Sequence, residues 1–173
     1  MDRSALDENT LWRLVEESAA GAAGVEEQAR RLTELLTART PSEVVEFERL
    51  FAAQLARANR WDLWAAAYVA LGGCGDDGFD YFRAWLISLG RKAFEVALAD
   101  PDALAGLGYD DEDFGDGEWL MYSAAHAYEQ LTGQELPPAE SRPAGTAGEP
   151  FDEDDWNGLV LRFPRLAARF DLS

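Results

Sequence analysis

Cysteine occurs once in the 173 residues, at Cys74, which excludes an intramolecular disulfide. Lysine also occurs once (Lys92) and isoleucine once (Ile87), while Ala, Arg, Gly and Leu abound; the bias is that of a GC-rich bacterial genome. No apolar run approaches the roughly 20 residues that a bilayer-spanning helix needs. Met1-Asp2-Arg3 runs into an acidic stretch rather than into a charged-then-apolar leader. These absences predict a cytoplasmic protein with no membrane association. Basic side chains are scarce too: 15 Lys plus Arg stand against 33 Asp plus Glu, a formal charge of −18. Phosphate backbones are recognised by Lys and Arg that displace counterions, so direct nucleic-acid binding is not expected. A protein partner, a small cationic ligand, or simple solubility fits the charge.

Runs of alternating strand-forming residues are missing as well, because the few valines and threonines sit in helical patterns. What is present is enough apolar mass for one core: 47% hydrophobic residues and six tryptophans. A chain near the ~150-residue size of one domain buries roughly 70% of its unfolded surface and needs no staples. The expected fold is all-α, an irregular single-domain bundle of about six to eight helices around a central apolar helix over 61–71. Residues 1–133 form the expected core domain. Residues 134–150, with four prolines and two glycines, read as a flexible linker or loop. Residues 151–173 read as a helical tail packing on the core.

Helical spacing of Leu11, Trp12, Val15 and Ala19 predicts a first helix over 9–20, capped by Asn9 or Thr10. A second spans 25–39. Thr40, Pro41 and Glu43 form a capping box with proline in the first turn, opening a third helix that runs to about 59. The 61–71 helix ends at Gly72-Gly73. A fifth follows the Cys74–Gly78 loop, with Gly90 dividing it from residues 92–99, and a short turn of helix is expected over 101–106. Residues 108–118 read as an acidic loop. Glu118 to Leu131 reads as a helix with Trp119, Tyr122, Ala125 and Tyr128 or Ala127 inward. Pro164 separates two pieces near 153–161 and 164–170.

The block from Asp62 to Gly90, DLWAAAYVALGGCGDDGFDYFRAWLISLG, carries the densest motif. It resembles the bacterial domain-of-unknown-function family 4240. In that family's pattern an aromatic-rich helix ends in GGC and is followed by DDGFxYFRxWLIxxG, a helix and a DPD turn. Asp100-Pro101-Asp102 supplies the last element, and Leu11-Trp12 and the stripe from Phe47 to Leu55 also fit. Gly75 stands where the family has serine as often, which weakens any hydroxyl-based mechanism at this loop. The resemblance implies a fold and no activity or cofactor. Some relatives look like parts of larger regulatory proteins, which favours an interaction role.

Asp76 or Asp77 could cap the fifth helix, and together with Asp80 they could serve as weak oxygen ligands for a cation. Capping is the commoner role. Arg83 would pair with Asp80 within the helix or, if buried, hold Asp76 or Asp77. Trp64, Tyr68 and Trp85 are core anchors first, but with Asp76, Asp77, Asp80, Arg83 and His126 they could also wall an acidic, aromatic binding groove. Cys74 and His126 could pair as nucleophile and base, although no nucleophile signature surrounds the thiol. From Asp111 the acidic loop fails the calcium-loop pattern at Gly115, Asp116 and Tyr122. The function expected is a binding or regulatory module using that groove. The rivals are a carboxylate- or metal-assisted hydrolase and an acidic protein that binds a basic partner. No cofactor is specified.

Overall fold

The computed structural model describes residues 6–139 and 145–172. Residues 1–5, 140–144 and 173, which belong to the expected core, loop and tail segments, lie outside the described residues. The described chain is one all-α domain. Its helices are α1 (Glu8–Ala19), α2 (Val25–Thr37), α3 (Pro41–Arg57), α4 (Trp61–Leu71), α5 (Asp76–Ser88), α6 (Arg91–Ala99), α7 (Glu118–Met121), α8 (Ser123–Thr132), α9 (Trp156–Arg162) and α10 (Pro164–Arg169). Two 3-10 turns, Pro101–Gly106 and Asp111–Asp113, link α6 to α7. The ten α-helices include three of seven residues or fewer, α7, α9 and α10; the other seven fall within the expected six to eight. Among the described residues no helix is long and apolar enough to cross a membrane.

Local chemistry sets the boundaries. At α3 the Thr40 hydroxyl accepts from the Glu43 N–H at 3.3 Å, and the Glu43 carboxylate accepts from the Thr40 N–H at 2.8 Å. The cap of α1 is Asp7, which accepts from the Thr10 N–H at 2.8 Å, not Asn9 or Thr10. An ionised carboxylate two residues upstream reaches the free N–H groups that Asn9, already inside the helix, cannot. Gly72 closes α4 at φ 69°, and the Gly73 N–H then donates to the Tyr68 carbonyl at 2.8 Å.

The core is an aromatic series. Trp61 stacks on Trp64, Trp64 on Phe79 and Phe79 on Phe82; Trp85 follows, 4.5 Å from Phe114 between ring centroids. Phe114 meets Phe170 of the tail at 5.1 Å. Two buried polar side chains lock the helices laterally. Gln28 donates to the Ser88 carbonyl at 2.9 Å, and Ser123 donates to the Ala29 carbonyl at 3.1 Å.

Gly117 brings the 114–118 segment against α5. A Cβ there would fall 2.2 Å from both the Trp85 nitrogen and the Tyr81 oxygen, so only glycine allows this approach. Farther along, the Ala147 N–H donates to Asn59 and its carbonyl accepts from Trp61, pinning this part of the Pro/Gly-rich loop to the start of α4.

Candidate functional site

The α4–α5 turn is rigidly built. The Trp64 indole N–H donates to the Cys74 carbonyl at 2.8 Å while its ring lies between Trp61 and Phe79. Arg83 pairs with Asp80, donates to the Leu55 carbonyl at 2.8 Å and sits 4.9 Å from the Phe79 centroid. Its guanidinium therefore ties α5 to the end of α3, and Asp80 is its counter-charge. Asp76 and Asp77 are exposed and cap nothing: the N-cap is Gly75, which leaves both carboxylates inside the first turn. There they meet the helix dipole without accepting from its N–H groups.

Trp85 is fully buried among Phe82, Tyr109 and Phe114, so it cannot wall an open groove. Tyr68 is covered by the tail, 5.3 Å from Phe151 and 6.4 Å from Trp156. Among the described residues no three His, Cys, Asp or Glu side chains are grouped to hold a metal ion, Asp76, Asp77 and Asp80 included. Burial pushes the Cys74 thiol up to about 11, so it is a neutral thiol at neutral pH. His126 is exposed on α8 and faces a cleft that Cys74 does not line. Sequence reasoning thus grouped eight residues, of which the structure joins Trp64, Asp80 and Arg83 around Phe79. It leaves Asp76, Asp77, Tyr68, Trp85 and His126 apart from them.

His126 points to a different site. An open cleft of about 1160 Å³ runs between α2 and the segment from Asp113 to Gln130. Glu26, Glu27 and Glu34 line one side, and Asp113, Asp116 and Glu129 the other. Arg30 is the arginine of the lining, and Glu27 and Glu34 already engage it at 3.5 and 2.9 Å. Glu27 also accepts from the Ala23 N–H at 2.7 Å, which holds its carboxyl below the usual range. Asp113 behaves oppositely: partial burial, then the neighbouring charges of Asp110 and Asp116, hold its carboxyl above the usual range. The floor is Val25, Ala29, Thr33 and Ser123.

One rim is aromatic. Trp119 is 49% exposed and lines the cleft; Tyr122 is 45% exposed, and its ring lies 6.3 Å from that of His126. This corrects the expected inward face of the 118–131 segment. The chain breaks at Tyr122 between α7 and α8, and the buried positions are Leu120, Ser123, Ala124 and Ala127. Small side chains let α8 approach α2 closely enough for the Ser123–Ala29 hydrogen bond, and Trp119 and Tyr122 turn outward.

The family described as Protein of unknown function (DUF4240) matches residues 6–130. The chain belongs to the DUF4240 family. No curated protein and no solved structure matches it.

The DUF4240 region holds nearly all that builds the cleft: α2, the acidic loop, α7 and most of α8. Sequence reasoning missed this cleft in the DUF4240 chain, although two signals for it were present. Asp113 and Asp116 stood in a loop that matched no calcium pattern, and Trp119 adjoined that loop. What was absent was any mark that α2, some 80 residues upstream, supplies the facing carboxylates.

Proposed function

We propose that this DUF4240 protein is a protein-interaction module that receives a cationic segment of a partner, rich in Arg or Lys, in the α2/α7–α8 cleft. One observation carries the reading: six carboxylates share a cleft whose arginine is already ion-paired, beside the half-exposed indole of Trp119. Glu27 and Glu34 are the partners of that arginine, and the other four, Glu26, Asp113, Asp116 and Glu129, supply long-range attraction and charge-assisted hydrogen bonds. A guanidinium or ammonium on the Trp119 face adds a cation–π contact of about 0.5–1 kcal/mol. Val25 and Ala29, the apolar part of the floor, accept the aliphatic stems of Lys and Arg.

Calorimetric titration with an octa-arginine peptide tests this. Because the whole chain is anionic, the decisive comparison is between two neutralisations of equal charge. Asp113→Asn with Asp116→Asn should weaken binding about tenfold, as expected for contacts of 1–2 kcal/mol. Asp76→Asn with Asp77→Asn should leave it within about twofold, as screened distant charges do. Trp119→Ala should cost about fivefold. Equal losses from the two double variants would show that the peptide reads only the mean field, and the cleft assignment fails.

A further inference from the structure

Arginine is already read at one place in this molecule, apart from the cleft. All the hydrogen bonds described to the Asp102 carboxylate come from the tail: the Arg165 N–H at 3.2 Å, the Arg165 Nε–H at 3.1 Å and the Leu166 N–H at 2.9 Å. Asp102 is 7% exposed, so these donors serve a buried charge that would otherwise be unpaired. Asp100 pairs with the same guanidinium. Four residues on, Arg169 donates from Nη1 to the carbonyls of Ala105 and Leu107 at 3.1 and 2.8 Å. It also donates from Nη2 to Tyr109 at 3.0 Å and from Nε to Asp111 at 2.8 Å. Its guanidinium carbon stands 3.7 Å from the Tyr109 ring centroid. Between the two arginines, Leu166 is fully buried.

These acceptors all belong to residues 100–111, inside the family match, whereas the donors lie beyond its end at 130. Apolar burial alone would hold a closing helix without three carbonyls and an aromatic face converging on one guanidinium. The arrangement has the form of peptide recognition: a carboxylate clamp on the half-exposed Arg165 and, one helical turn on, an enclosed socket for Arg169, with the buried Leu166 between them.

We propose that residues 100–111 form a docking site for a short helix of the pattern Arg-Leu-x-x-Arg, that the chain's own residues 163–170 occupy it in cis, and that a partner protein carrying the same pattern competes for it. This stands independently of the acidic cleft.

The full-length chain with Arg165→Ala and Arg169→Ala should expose the sockets. A fluorescein-labelled peptide of residues 163–172, followed by anisotropy, should bind this variant about tenfold tighter than wild type, which has an occupied site. The same peptide with alanine at both arginine positions should lose about tenfold. A variant with wild-type helicity that takes up the peptide no better than wild type overturns the proposal. Hydrogen exchange on the wild-type chain is a second measurement, and it does not need the variant to fold. Amides of 165–170 should exchange about tenfold or more faster than those of α4, through a local opening. If both exchange only with global unfolding, the tail is an inseparable part of the core and the proposal fails.

Discussion

Glu48 on α3 is held against its chemistry. It keeps some exposure, yet burial lifts its carboxyl from 4.5 to about 6, and no hydrogen bond to it is described. The sign follows from linkage: folding makes this acid weaker, so the charged form disfavours the folded state. Below the unfolded pKa both states are protonated and there is no effect. Stability is lost as pH rises through 4.5 to about 6, and the loss persists above. Glu48→Gln should therefore stabilise the protein at pH 8 by at most about 2 kcal/mol, and change little at pH 4. Urea unfolding at the two pH values measures it, and equal stabilities at pH 8 would contradict the assignment. Residue-scale features of this kind were illegible in the sequence, because Glu48 sits between Phe47 and Arg49 in a pattern that reads as an ordinary solvated flank. The same holds for Arg83: its pairing with Asp80 was expected from their spacing, but its bond to the Leu55 carbonyl depends on a helix 28 residues away.

At the scale of elements, termini were the readable part. The capping box at Thr40, the Gly72 end of α4 and the division at Gly90 are local chemistry, and the structure repeats them. Faces were less readable. Helical spacing says which residues share a side and not which side is covered, so Trp119 and Tyr122 are expected inward where Leu120, Ser123 and Ala124 are buried instead, while Ala127 is buried as one of the two expected alternatives. The reason is partly Gly117. Its contact with the α5 backbone fixes where α7 starts, and therefore how the segment from Asp113 to Trp119 approaches α2. Its φ of −102° is ordinary, so the demand is for space alone. Gly117→Ala should cost about 3 kcal/mol or more, within the range of overpacked core sites, and should weaken octa-arginine binding as the cleft wall shifts. A melting temperature within about 2 °C of wild type would refute that role, since 1 kcal/mol moves a domain of this size by roughly 2–4 °C.

For the whole molecule, the all-α class was accessible because it follows from helical periodicity along the chain and enough apolar mass for one core. The cleft was not accessible, since it exists only once α2 and α8 lie side by side, joined by Ser123 and Ala29 across 94 positions. The motif-dense α4–α5 block attracted a functional reading, but its residues mostly hold the fold together: Trp64, Phe79, Phe82 and Trp85 belong to the aromatic series, and Arg83 ties α5 to α3.

Of the six tryptophans, Trp119 alone is exposed; Trp12 and Trp85 are buried and Trp61, Trp64 and Trp156 are partly covered. Steady-state emission therefore contains a built-in optical window on the cleft. Collisional quenchers of opposite charge should separate at that window, with caesium concentrated by the surrounding carboxylates and iodide repelled. The gap between their quenching constants should narrow as salt rises, and in Trp119→Phe it should shrink to what the partly covered Trp61, Trp64 and Trp156 contribute.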